Sequence, residues 1–285
     1  MSVIPIDKAN GAVRGTIQSA IALASARTGV DFNYLLGQAQ VESGLRPDAK
    51  AGTSSASGLY QFIEQSWLSV VKKHGAEHGL GWAAENITQG ANGRLTVSDP
   101  GTRRAILALR NDPNAASLMA AEHAADNKVS IEDSLGRTAT GTDLYMAHFL
   151  GLGGARSFLK NLQANPDQAG AALFPAAARA NRNIFYSEGG QPRSLSDIYD
   201  RFSAKLDRGA AAVGATGLAS GGLSPSDGGG AEIIPGNGES KSGATRWAQA
   251  TLDQLQGGVN RAESLLRPTP DTARLAYLLL ARLGG

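Results

Sequence analysis

Glu42 closes an apolar-periodic stretch and is followed by Ser43, Gly44 and Pro47. A loop of Ala, Gly, Ser and Thr then leads into Gly58-Leu59-Tyr60-Gln61. A carboxyl group so placed can do acid–base chemistry if it keeps its proton near neutrality. Phe32, Leu35, Leu36 and Ala39 recur at i, i+3, i+4 and i+7, and the same count reaches Glu42 and Ser43. A carboxylate on a buried stripe loses solvation of its charged form, and the negative end of the helix dipole acts in the same sense. Both effects are expected to raise the Glu42 pKa and hold the proton that a general acid needs. The competing reading is a glutamate at a frayed helix end, turned to water. Periodicity alone leaves the two open.

Other residues compete for a chemical role. His74-Gly75-Ala76-Glu77-His78 matches the H-x-x-E-H pattern of inverted zinc peptidases. A zinc site also needs a firm helix and a third protein ligand. Gly75 and Gly79 argue against the helix, no distant carboxylate is marked out, and the expected state is a solvated helix end without metal. Glu122 and His123 fall on a later helix, where either can face a cleft. Tyr145 and His148 lie on an amphipathic run that ends in Gly151-Leu152-Gly153-Gly154, whose bare backbone another chain or a sugar ring can approach. That glycine run lacks the strand and spacing of a dinucleotide loop.

The elements that must position these groups read as helices. Stretches with a helical rhythm cover 10–27 (Ala-rich), 32–43, 59–73, 102–109, 115–129, 143–150, 155–162 and 195–206, with Asp31 as a candidate N-cap and Gly44 as a stop. The segment 81–100 is polar and irregular, with Asn92-Gly93 as a turn. Hydrophobic residues make up 42% of the 285 and aromatics 6%, which suits close-packed helices. The expected fold class is mainly α. One helical domain is expected over 1–207, then a flexible linker over 208–243; residues 209–243 hold eleven of the 36 glycines. Helical segments follow over 244–285, apolar enough near their end to dock on a protein partner or a membrane surface.

Composition excludes several classes. Without cysteine there is no disulfide scaffold, thiol catalysis or Cys-ligated metal. A net charge of +2 with interspersed signs does not point to nucleic acid. No apolar run approaches the ~18 residues of a membrane span. The first fifteen residues lack the basic start and apolar core of a signal peptide, so export would use another route or an upstream segment.

Glu42-Ser43, Gly58-Leu59-Tyr60-Gln61 and the segment from Tyr145 to Gly154 together resemble the soluble lytic transglycosylase (SLT) family over roughly 15–165. The family pattern is Glu-Ser at a helix end, then Gly-Leu-Met-Gln, then Ala-Tyr-Asn-Ala-Gly. Tyr60 stands where Met is usual, and Ala147-His148-Phe149-Leu150-Gly151 replaces the third motif, a form more like some phage-type and proteobacterial members. The resemblance implies a lysozyme-like helical domain with a substrate cleft, acting on peptidoglycan glycan strands in the periplasm, the envelope or outside the cell. It implies cleavage of the β-1,4 bond between MurNAc and GlcNAc with Glu42 as sole acid and base. Ser43, Gln61, Tyr60, Tyr145, His148 and Glu122 become candidate substrate-binding residues, and no cofactor is implied. Three rivals stay open: a hydrolytic muramidase using Asp48, Glu64 or Glu122 to position water, a non-catalytic wall-binding or secretion-apparatus module, and a zinc peptidase.

Overall fold

The computed structural model describes residues 6–52 and 54–221, with side chains described from 13 onward. All fall within the unit Met1–Pro225. The expected helices over 244–285, and the expected linker beyond 221, lie outside the described residues.

The fold is mainly α. Its helices are α1 (Ile6–Thr28), α2 (Phe32–Ser43), α3 (Glu64–His74), α4 (Gly81–Asn86), α5 (Pro100–Ala108), α6 (Pro113–Leu135), α7 (Gly141–Ala164), α8 (Gly170–Leu173), α9 (Pro175–Ala180), α10 (Arg182–Phe185) and α11 (Leu195–Ala211). Short 3-10 turns extend α3 (Gly75–His78) and α5 (Leu109–Asn111). The only sheet among the described residues is a two-stranded antiparallel hairpin, β1 (Thr88–Gln89) with β2 (Leu95–Thr96), closed around Asn92-Gly93. It lies in the segment expected to be irregular. Among the described residues no helix is long and apolar enough to cross a membrane.

α6 is the central post. It packs against α1 on one side and α7 on another, while α11 closes over α2 and α7. Its burial pattern explains the placement, since Ala116, Met119, Ala121 and Ile131 are fully buried. The small Ala side chains let neighbouring helices approach closely. Trp67 of α3 is fully buried, and its indole N–H donates to the Ile106 carbonyl at 2.8 Å, so the largest core side chain has no unpaired polar atom.

Two features depart from the sequence expectation. The helix expected from Leu59 begins only at Glu64, because 57–62 forms a pair of isolated bridges and a tight turn. The domain boundary expected at Asp207 also moves. α11 runs on to Ala211, and the chain then folds back: Gly141 N–H donates to the Gly221 carbonyl, and the Ser220 N–H and Oγ both donate to the Asp207 carboxylate. Ala219 is buried against Gly37 of α2, where an added Cβ would stand 3.0 Å from the Ala219 methyl. Glycine content suggested a linker here; of its described glycines, Gly209 and Gly217 serve close packing, an added Cβ standing 2.7 Å from Val41 and 2.6 Å from Asn33.

Candidate active site

α2 delivers Glu42. Asp31 caps the helix start by accepting the Tyr34 N–H at 2.8 Å, and Gly44 ends it in the left-handed conformation. Ser43 is buried, at 4% exposure, and its hydroxyl is already committed. It donates to the Ala39 carbonyl at 3.0 Å and accepts the Arg46 N–H at 3.2 Å. Ser43 therefore shapes the turn that follows Glu42 and presents no free hydroxyl to a ligand.

α7 supplies the facing wall, and its start is fixed by a buried ion pair. Thr140 and Asp143 form a reciprocal capping box. The fully buried Asp143 carboxylate also accepts two bonds from Arg137, at 2.6 and 3.1 Å, and one from the Tyr199 hydroxyl at 2.9 Å. One turn further on, Tyr145 Oη donates to Glu42 Oε1 at 2.9 Å, and His148 Nε2 lies 3.5 Å from the same oxygen. The Tyr145 and His148 rings are stacked, with centroids 6.1 Å apart. Lys205 of α11 donates to Tyr145 Oη at 3.2 Å. Phe202, also on α11, packs edge-on to Tyr145. Gly151, at φ 71° and ψ 159°, breaks α7 just beyond His148, where the glycine cluster had suggested a helix end.

These neighbours overturn the expected pKa of Glu42. Burial is the largest single influence and does push it up. The hydrogen bond and charge of His148, the hydrogen bond from Tyr145 and the charge of Lys205 together outweigh burial and hold the carboxyl below the usual glutamate range. The amphipathic stripe of α2 carries no trace of groups arriving from α7 and α11. Burial and the neighbouring carboxylate raise the Tyr145 phenol, so it stays a donor.

The loop 49–62 forms its own clamp. Gly58 sits at φ +83°, and a Cβ there would lie 1.8 Å from the Arg110 carbonyl oxygen. Arg110 in turn donates to the Ser55 and Phe62 carbonyls at 2.7 and 2.9 Å, and Ser57 Oγ donates to Asn111 at 2.9 Å. Gln61 takes the left-handed conformation at φ 49°, and its side-chain amide donates to the Ala49 and Gly58 carbonyls. Gln61 thus holds the loop together with its N–H groups. Tyr60 is buried, at 1% exposure, so it packs in the core and offers no face to a sugar.

Glu122 is not brought to Glu42. It points back toward the end of α3, where it meets His78 at 2.7 Å and His74 at 3.4 Å. Its neighbour His123 is the one that senses the site. Burial first, and the charge of His148 second, push His123 down to about 4, so it is neutral at pH 7 against the edge of Phe62. Sequence reasoning missed Lys205 and Arg110, which reach their partners from far along the chain, and the Arg137–Asp143 pair, whose Thr140-x-x-Asp143 capping signature was the local signal available. Beside Lys205 opens a cavity of about 500 Å³, lined by Arg193, Asp197, Arg201, Phe202 and Arg208 among others. No protein-family model matches the chain.

Proposed function

We propose that this domain is a lysozyme-like lytic transglycosylase of SLT type that cleaves peptidoglycan glycan strands in the cell envelope. One observation carries the reading. Among the described residues, the groups that touch the Glu42 carboxylate are a phenol and an imidazole, with an ammonium one step behind, and none is an acid. Glycosidases that use water or an enzyme nucleophile need two carboxylates at a set separation. The acids that could supply a second one are occupied elsewhere: Glu64 pairs with Arg103, and Glu122 with His74 and His78. Asp48 is exposed.

One carboxylate suffices when the nucleophile is part of the substrate, because an intramolecular hydroxyl acts at high effective concentration. Glu42 gives its proton to the glycosidic oxygen as the C1–O bond breaks. The C6 hydroxyl of the same MurNAc attacks C1, and its proton passes to Glu42, which ends the cycle protonated. The product carries a 1,6-anhydro bridge, and no water is consumed.

The depressed pKa of Glu42 without substrate sets one requirement. A bound glycan excludes water and strengthens the burial effect, which favours the protonated carboxyl of Glu42. Tyr145 keeps the carboxylate aimed, with Lys205 behind it.

Mass spectrometry of digested peptidoglycan tests the reading with wild type and Glu42→Gln side by side. Anhydro ends, lighter than reducing ends by one water, are expected from wild type and are absent with Glu42→Gln. Reducing ends alone would replace the lyase by a hydrolase, and unchanged wall degradation by Glu42→Gln would remove the catalytic assignment.

A further inference from the structure

The H-x-x-E-H segment is not the solvated helix end that its glycines suggested. α6 brings it the carboxylate that the sequence left unmarked. Three donor atoms, one each from His74, Glu77 and Glu122, lie within 4.8 Å of one another. We propose that these three residues form a binding site for a divalent transition-metal ion, with zinc the best match, that staples the end of α3 to α6.

The hydrogen bonds around the cluster fix which atoms are free to ligate. His74 Nε2 is 3.0 Å from an Asp126 oxygen, so it carries the proton that bonds to the carboxylate. That leaves His74 Nδ1 as a lone pair, and it faces Glu122 Oε2 at 3.4 Å. Two electron-rich atoms at that distance repel unless a cation lies between them. Donors about 2.0–2.1 Å from one tetrahedral zinc stand roughly 3.4 Å apart, so the observed gap is the spacing the ion requires.

The other oxygen of Glu122 accepts from His78 Nε2 at 2.7 Å, which orients Oε2 toward His74. Asp126 does the same for the His74 ring, and Lys73 holds Asp126 in turn. A ligating histidine backed by a carboxylate and a ligating carboxylate backed by a donor are the supports that protein metal sites use. Glu77 is exposed, its ligand atom lies within 4.8 Å of the other two, and water would complete a tetrahedral set. The other cation that satisfies the His74–Glu122 gap is a second proton on His74. The experiment separates the two.

The untagged full-length chain, stripped with chelator, is titrated calorimetrically with zinc chloride, and its visible spectrum is recorded with cobalt(II) as a probe. One equivalent of zinc is expected, with a rise in thermal midpoint and cobalt d–d bands typical of low coordination number. Glu77→Ala leaves the fold intact, since the side chain is exposed, and is expected to weaken zinc binding at least tenfold. Glu122→Gln is expected to do the same, and Asp126→Asn to weaken it by about 10–100-fold. No saturable zinc binding, or affinity unchanged in both Glu77→Ala and Glu122→Gln, overturns the site. Glycan cleavage plays no part in this readout, so the two proposals stand or fall separately.

Discussion

Tyr145 Oη donates to Glu42 Oε1 at 2.9 Å, joining the end of α2 to the first half of α7. The same phenol accepts from Lys205, so it relays a positive charge toward the carboxylate while remaining a donor itself. Removing only the hydroxyl tests this relay. Tyr145→Phe keeps the ring packing against Phe202, and a hydrogen bond to a charged group contributes about 1.5–3 kcal/mol. If that contribution is realised in the transition state, glycan cleavage falls by roughly 10–150-fold. Turbidity clearing of purified walls measures it, with the helical circular dichroism signal unchanged.

His148 lowers the Glu42 pKa through both its hydrogen bond and its charge. His148→Gln removes the charge, so the burial effect has less to oppose it and Glu42 holds its proton to higher pH. The acid-requiring limb of the pH–activity profile should move upward. A limb that stays in place would show that His148 is not electrostatically coupled to Glu42.

The same shift bears on stability. A carboxyl whose folded pKa is depressed stabilises the native state above its ordinary value, here 4.5, and that contribution fades as pH falls through the lower folded value. Urea denaturation of wild type and Glu42→Gln should therefore show a wild-type advantage at pH 7 that narrows below pH 4.5. An advantage that grows on acidification would contradict the sign of the shift.

Gly58→Ala puts a methyl into the Arg110 carbonyl at a left-handed backbone position. Both the overlap and the strain oppose it, at a cost of at least about 2 kcal/mol. Thermal melting should register the loss, and proteolysis should cut first within 49–62.

Arg137→Met leaves the buried Asp143 carboxylate short of two hydrogen bonds. Breaking a buried pair from one side costs about 3–5 kcal/mol, and the low end applies because Arg137 is 34% exposed. Chemical denaturation measures this. Activity should fall with it, since Asp143 sets the start of the helix that carries Tyr145 and His148.

The legible parts of the site were local ones. Asp31, the stripe through Ala39 and Gly44 delimit α2 by capping and periodicity, and they placed Glu42 at its end. Lys205 was illegible because it reaches the site through Tyr145, across 60 positions of sequence. Glu122 and His123 show a limit of another kind. Adjacent residues on a helix point about 100° apart, so only one of them can face a given wall, and their residue types favoured neither. The turn at 58–61 read as a helix start because the apolar rhythm of Phe62, Trp67, Val70 and Val71 extends back to Leu59. The Arg110 backbone lies against Gly58 and its side chain bonds the loop from afar, and no local propensity announces a left-handed glutamine.

The burial of Ala219 against Gly37 has a consequence for biosynthesis. The helix that bears Glu42 leaves the ribosome early, yet the surfaces that cover it, α11 and the segment returning from it, are the last of the domain to be made. At ordinary rates of about 5–20 residues per second, they follow on the order of ten seconds later or more. Until then α2 has no partner on that side, and Tyr145 has no lysine behind it. The surroundings of Glu42 are complete only when the end of the domain packs over its beginning.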